Sequence, residues 1–433
     1  MELSSLSLVK EGQPVSQTPS WESSALSAPV SNAPSHLEFE ISCVERQGNE
    51  LDQKIEDVPE GKYRDLLARF PDILKPNFKT EEPKNGIKHR IRTGSHPPCR
   101  AKPRQLLPGS PKAEAGYKAW KQLVDLGIVE PVDPAKPNNW SSPLHLAPKP
   151  GGGLRPVGDY RLLNQKTELD LYPLPDLRGY THKIAGSTIF SKLDLAKAFH
   201  QILIDPTDRH KTCVSTPWGL FNFRRLAMGM MNSSQSFQRH IDDLLKNISG
   251  CFVYLDDVLV FSDNEEDHLA TIEEIFNRLD AAGLTLSLSK CEFGRESLDY
   301  LGYTISAQGL VPIKKKVESL KNFPSPLKQK QLLGFLGALN YYRSSLPKSQ
   351  PSGTKPARSP AQILDPLYKI ATDKEAKKNF KKIWEADIKY SEAFNKAKEL
   401  LVNAVNLNFP VPSAPLALTT DASQTCLGAA LDQ

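Results

Sequence analysis

The stretch Cys251-Phe-Val-Tyr-Leu-Asp-Asp-Val-Leu-Val-Phe-Ser262 sets two adjacent carboxylates, Asp256 and Asp257, between two apolar runs. Fully apolar flanks rich in Val, Phe and Tyr read as the buried strands of a hairpin, with both aspartates at its tip. Two-residue hairpin loops favour Asn-Gly or Asp-Gly, because their central residues take positive φ, and this tip has no glycine. Side by side, two carboxylates repel, and a divalent cation relieves that repulsion. A third carboxylate, Asp194, stands between Leu193 and Leu195 in the apolar segment Phe190–Ile202. A strand aspartate between leucines either caps a turn or serves a site. Three carboxylates can hold two Mg2+ ions, which activate a hydroxyl and stabilise a leaving pyrophosphate in an in-line displacement. Spacing alone leaves open whether the three meet, and an acidic solvated turn is the competing reading.

The elements that must position these groups follow from patterning. A short helix is expected around 60–70, ended by Pro71, and an amphipathic helix over 111–128 with Tyr117, Trp120, Leu123 and Leu126 at helical spacing. Extended segments follow at 143–148 and 154–160. The order is then strand (187–195), helix (232–247), hairpin (251–262), helix (265–282), strands near 284–288 and 298–305, and helix from 320 to 341. This is an α+β pattern, with helices on one face of a largely antiparallel sheet. A Pro/Ser-rich linker is expected at 347–360, helix again at 384–404, and a strand from Pro415 to Asp421.

Length and composition set the frame. At 433 residues the chain can hold two to four domains. Residues 1–36 are rich in Ser and Pro and read as disordered. No apolar run is long enough for a membrane span, and no secretory leader is signalled at the start, so an intracellular setting with reduced thiols is expected. The six cysteines (43, 99, 213, 251, 291, 426) include no CxxC pair, which argues against a zinc site. Net charge is only +5, but the positive charge clusters at 84–104, 314–330 and 374–382. Such clusters suit a polyanionic partner, and solvated lysine faces explain each one separately as well.

Taken in order, a set of boxes resembles the reverse transcriptase of gypsy-type LTR retrotransposons, from about residue 86 to the C-terminus. They are Trp140-Ser-Ser-Pro143, Gly158-Asp-Tyr-Arg-Leu-Leu-Asn164, Tyr172-Pro-Leu-Pro175, the Asp194 segment, Phe221–Arg239, Tyr254-Leu-Asp-Asp257, Gly283-Leu284 with Lys290 and Cys291, Leu301-Gly-Tyr303, and Phe335-Leu-Gly with Asn340-Tyr-Tyr-Arg343. The resemblance implies a right-hand polymerase with a ferredoxin-like palm: fingers and palm over 111–307, thumb over 308–347, linker and connecting helices over 348–410. A disordered tail (1–60) and a basic extended linker with a short helix (61–110) precede them. It implies an RNA-directed DNA polymerase that transfers dNMP to a primer 3′-OH on an RNA or DNA template, with two Mg2+ ions, or Mn2+ in their place.

Roles carry over residue by residue. Asp194, Asp256 and Asp257 are the implied catalytic and metal-binding carboxylates. Phe199 matches the aromatic gate that rejects a ribose 2′-OH. Arg155 and Arg161 match fingers positions, with Arg155 clamping the dNTP triphosphate and Lys149 assisting. Met228 and Gly229 fall in the template- and dNTP-contacting box, Lys290 where a lysine could protonate pyrophosphate, and Leu301, Gly302 and Tyr303 at the primer grip. Ala227, Met228 and Ser234 depart from the family, which has proline at the first and last, and two missing prolines loosen a turn. Residues 411–433 resemble the opening of an RNase H, with Asp421 as its first metal ligand. With the other ligands absent from the sequence, RNase H activity is not expected. The competing function is a retroelement remnant that binds nucleic acid without catalysis.

Overall fold

The computed structural model describes residues 58, 60–79, 84, 86–136, 138–149, 152–347, 359–404, 407, 409, 414–422 and 427–432. The expected N-terminal tail lies outside them except for residues 58 and 60. Helix α1 (Lys62–Ala68) ends before Pro71, and a short strand β1 (Lys88–His89) follows. Helix α2 (Pro111–Asp125) starts where the Ser110 side chain accepts from the Ala113 amide at 3.3 Å and Pro111 takes the first helical position, where a missing N–H costs nothing. Strands β2 (Val129–Pro131), β3 (Ser142–Pro148) and β4 (Leu154–Gly158) come next, then β5 (Ile189–Asp194), β6 (Leu203–Ile204), β7 (Val214–Thr216) and β8 (Gly219–Phe223). Strands β2-β8-β7-β3-β4 make one sheet, in which β3 pairs antiparallel with β4 and parallel with β7. Helix α2 seats on it through buried Trp120, edge-on to Phe221 and Phe223 at 5.5 and 6.1 Å.

The second sheet carries the aspartates. After helix α3 (Ser233–Leu244) come β9 (Cys251–Tyr254), β10 (Asp257–Ser262), helix α4 (Glu265–Ala282) and β11 (Glu292–Arg295), in the antiparallel order β11-β5-β10-β9. Val258, Leu259 and Val260 are all fully buried, so β10 is covered on both faces, and its continuous apolar run follows from that. Helix α4 is delimited by its own sequence: the Asn264 side chain accepts from the Asp267 amide at 2.9 Å, and Gly283 ends the helix at φ 70°. Its His268 donates to or accepts from Ser191 Oγ at 2.7 Å, tying the helix to β5 three residues before Asp194.

Strands β12 (Ser297–Tyr300), β13 (Tyr303–Ser306) and β14 (Gly309–Pro312) form a small antiparallel sheet. Helices α5 (Lys314–Lys321), α6 (Gln329–Tyr341), α7 (Pro360–Thr372), α8 (Ala376–Ala386) and α9 (Ile388–Val402) pack beyond it. One continuous core joins Phe190, Phe252 and Leu259 of the second sheet to Tyr300, Ile305, Phe335, Leu367 and Phe394. Strands β15 (Ala417–Ala422) and β16 (Leu427–Asp432) pair antiparallel. No described helix is long and apolar enough to cross a membrane.

Four expectations change. The hairpin tip is Leu255-Asp256, and Asp257 already pairs with Tyr254 as the first residue of β10. Residues 284–288 supply one bridge, Leu195 to Leu286, and the strand that joins the sheet there is β11. The single helix at 320–341 is two, α5 and α6, separated by Pro324 and Pro326, which cannot continue a helix. Helix resumes at Pro360 instead of 384, because Ser359 and Gln362 form a capping box and Ile363, Leu364, Leu367 and Ile370 bury one face.

Candidate active site

In the antiparallel register of β5 and β10, Asp194 stands directly opposite Asp257. Directly opposed residues point to the same face, so the two carboxylates share it, and like charges there repel. Lys192, two residues back on the same face, reaches Asp257 Oδ1 at 3.5 Å. Lys290 Nζ lies 3.0 and 3.1 Å from the two carboxylate oxygens of Asp194. Burial, with Asp256 and Asp194 nearby, pushes the Asp257 carboxyl above its ordinary range, against the pull of Lys192. Asp256 sits on the tip beside Leu255, whose backbone is left-handed at φ 52°. For a residue other than glycine this costs about 1–2 kcal/mol. The turn is held by Gln238, a fully buried α3 side chain whose Oε1 accepts from the Leu255 amide at 2.7 Å and whose Nε2 donates to the Val253 carbonyl at 3.1 Å.

The donor set suits a hard divalent cation: carboxylate oxygens from two facing strands and a turn. The ammonium groups of Lys290 and Lys192 each sit on one aspartate, Asp194 and Asp257 respectively. Among the described residues, no three His, Cys, Asp or Glu side chains are arranged to hold one ion.

Beside the tip opens a cavity of about 270 Å3 whose lining includes Asp256, Lys149, Arg155, Phe199, Met228 and Lys290. Lys197 joins them, giving four cationic side chains around a single carboxylate, a field suited to a polyphosphate. Lys197, like Leu255, has left-handed backbone (φ 48°). The Phe199 ring packs on Phe237 at 5.6 Å and is only half-buried. Arg155 Nη1 approaches Met228 Sδ at 3.6 Å. His200 is held neutral, its pKa lowered by burial to about 4, with Nδ1 3.0 Å from the Leu226 carbonyl. Gly229 lies outside this lining and Arg161 pairs with Asp159 at 2.7 Å.

The loop that lacks two prolines is fixed by hydrogen bonds. Asn164 Nδ2 donates to the Gly229 carbonyl at 2.9 Å, its Oδ1 accepts from the Met231 amide at 2.9 Å, and Ser233 Oγ donates to the Ala227 carbonyl at 2.8 Å. Asn232 caps nothing with its side chain; it bonds instead to the Asp170 amide and the Glu168 carbonyl.

Leu301, Gly302 and Tyr303 line a separate cavity of about 810 Å3 between Tyr254 and α6. The Tyr341 hydroxyl donates to the Leu301 carbonyl, and that of Tyr342 to the Gly302 carbonyl at 3.1 Å. Gly302 has φ 84°, and a Cβ there would lie 3.0 Å from the Tyr342 hydroxyl, so a side chain would be both strained and crowded. Asp421 is on β15, pairing with Gly428, and its side chain lies outside the described residues. Sequence reasoning passed over Lys192, Lys197, Gln238 and Tyr300. Only Gln238 had a visible signal, an amide next to Phe237 in a helix whose Phe237 and Ile241 stand at i, i+4 spacing.

A family model described as "Reverse transcriptase (RNA-dependent DNA polymerase)" matches residues 147–305, and one described as "RNase H-like domain found in reverse transcriptase" matches residues 387–433. The retrovirus-related Pol polyprotein from transposon opus of Drosophila melanogaster is 32% identical over 375 residues, covering 85% of this chain and 36% of that protein. That from transposon gypsy of the same organism is 33% identical over 326 residues, 72% of this chain and 30% of the other. The chain thus spans about a third of the length of these relatives. A foamy viral protease-reverse transcriptase bound to double-stranded DNA shares the fold with a TM-score of 0.68, at 22% identity, over 87% of this chain and 63% of that one. The same viral protein in complex with an RNA/DNA hybrid gives 0.66, at 22% identity, over 87% and 49%. The chain has the α+β right-hand polymerase fold and belongs to the reverse transcriptase family, with the Pol polyproteins of gypsy-type retrotransposons.

Proposed function

We propose that this chain is an RNA-directed DNA polymerase that transfers dNMP from a dNTP to a primer 3′-OH on an RNA or DNA template. The observation that carries this reading is the juxtaposition of Asp256 with Arg155, Lys149, Lys197, Phe199 and Lys290 around one cavity, next to the opposed pair Asp194 and Asp257. Asp194, Asp256 and Asp257 are the residues to hold two Mg2+ ions, or Mn2+. When bound, such ions supply Lewis-acid activation of the 3′-OH and neutralise charge on the departing pyrophosphate.

The chain's own residues do the rest. Arg155 presents a planar fork of donors to the triphosphate, with Lys149 and Lys197 adding charge. Phe199 sets an aromatic face where a ribose 2′-OH would stand, so selection against rNTPs works by clash. Lys290 holds a proton at Nζ beside Asp194, available to a leaving oxygen. Met228 and Gly229 carry the nucleotide-facing loop, and the Leu301-Gly302-Tyr303 turn holds the primer backbone. Division into fingers and palm (111–307) and thumb (308–347) fits this assignment. Primer extension on an RNA template tests the reading directly. The rival, binding without catalysis, draws on the incomplete RNase H segment and the absent protease motif as well as on the missing prolines, and the Asn164 and Ser233 bonds bear on the last of these alone.

A further inference from the structure

Four described residues other than glycine have left-handed backbone: Lys197 (φ 48°) lines the cavity with Asp256, Leu255 (φ 52°) precedes Asp256, and Leu301 (φ 43°) follows Tyr300, whose hydroxyl bonds the Asp257 carbonyl. The fourth, Asn247, is of a type that tolerates this conformation. Each of the three turns is bonded on its backbone by a side chain from outside it. Gln201 Nε2 donates to the Ala196 carbonyl at 2.8 Å, Gln238 Oε1 accepts from the Leu255 amide, and the Tyr341 hydroxyl donates to the Leu301 carbonyl. Strained backbone persists only where the surroundings over-determine it, and such sites gather where geometry serves function.

The Leu255 turn has the least support of its own. A two-residue hairpin loop with positive φ at its first position ordinarily takes glycine there. Gln238 meets the hairpin as a neighbouring strand would, accepting from the amide of 255 and donating to the carbonyl of 253, while its second amide hydrogen goes to Asp242 at 2.8 Å. Its side chain is fully enclosed, so no water can replace it.

We infer that Gln238 is a positioning residue, which holds Leu255 in the left-handed region and thereby fixes where Asp256 and Asp257 stand. The activity arm of the test rests on the polymerase reading; the exchange arm does not.

The test is a cycle of Gln238→Met and Leu255→Gly. Glycine occupies the left-handed region freely, so it should make Gln238 dispensable. In the natural background, Gln238→Met is expected to lower turnover in primer extension at least ten-fold with the dNTP KM within two-fold. In the Leu255→Gly background the same change is expected to cost less than three-fold. Equal losses in both backgrounds would show that Gln238 only fills space, and overturn the proposal. Independently, hydrogen exchange at the Leu255 amide should be protected in the natural chain and at least ten-fold faster in Gln238→Met, with the α3 amides unchanged. Unaltered exchange at 255 also overturns it. A natural chain that fails to extend primers sinks the polymerase reading and leaves the exchange result to decide this one. Should Gln238→Met not fold, Leu255→Gly alone is decisive: its denaturation midpoint should be no lower than the natural chain's, and a clear fall contradicts the strain.

Discussion

The hydroxyl of Tyr300 donates to the main-chain carbonyl of Asp257 at 2.8 Å, so the strand leading into the Leu301-Gly302 turn is bonded to the strand that begins with Asp257. The ring is fully buried, and burial pushes its hydroxyl well above the ordinary tyrosine range, so it stays protonated and donating. Tyr300→Phe keeps the ring and deletes the bond. It is expected to cost about 1 kcal/mol of stability and to slow extension several-fold without changing dNTP KM. Chemical denaturation with steady-state kinetics checks both, and a variant identical to the natural chain in rate removes this link.

Burial, and after it the charges of Asp256 and Asp194, raises the Asp257 carboxyl in the folded chain, so its ionisation weakens the fold: stability is lost as pH rises from the ordinary 3.8 through the raised value. In chelator at neutral pH, Asp257→Asn is expected to be more stable than the natural chain by about 0.5–1 kcal/mol. The difference should vanish well below pH 3.8. Added Mg2+ should reverse the ranking, because only the natural chain gains binding energy. Denaturation at both pH values, with and without Mg2+, checks the order.

Burial holds His89, His200 and His268 neutral, each lowered from 6.5 to about 4. A depressed histidine supports the fold above its ordinary pKa and loses that support as pH falls. The midpoint of unfolding is therefore expected to drop steadily between about pH 6.5 and 4. A midpoint flat across that window would contradict the assignment.

Phe199 lines the cavity with Asp256 and Arg155 and leans on Phe237. Phe199→Val opens the space at the ring edge, and rNTP incorporation relative to dNTP is expected to rise about ten-fold or more. Competition between labelled dNTP and rNTP measures it. An unchanged ratio would return Phe199 to the core.

Much of this was legible in the residues. Asp194, Asp256 and Asp257 stand out as candidates by type and by their apolar flanks, and Arg155 and Phe199 by their place in ordered boxes. What stayed hidden depends on long-range register. Lys192 belongs to the site only because β5 and β10 pair with Asp194 opposite Asp257, and Tyr300 only because β12 packs under that sheet. The tip was misjudged by one residue because an apolar-Asp-Asp-apolar run does not say which aspartate starts the strand, and a one-residue slip changes every facing. Helix α7 was missed despite its Ser-Pro-Ala-Gln start, since the Pro/Ser-rich run before it masked the capping box. The altered loop at 227–234 was read as loose because the Asn164 bonds that fix it come from 65 residues away.

The most direct measurement is primer extension on an RNA template with Mg2+, comparing the natural chain with Asp256→Asn while primer–template binding is followed in parallel. The account predicts extension by the natural chain, loss of at least a thousand-fold in the variant, on the order expected for removing a charge that acts in the transition state, and equal binding by both. Binding without extension by the natural chain, with the variant indistinguishable from it, would contradict the account and leave a nucleic-acid binder.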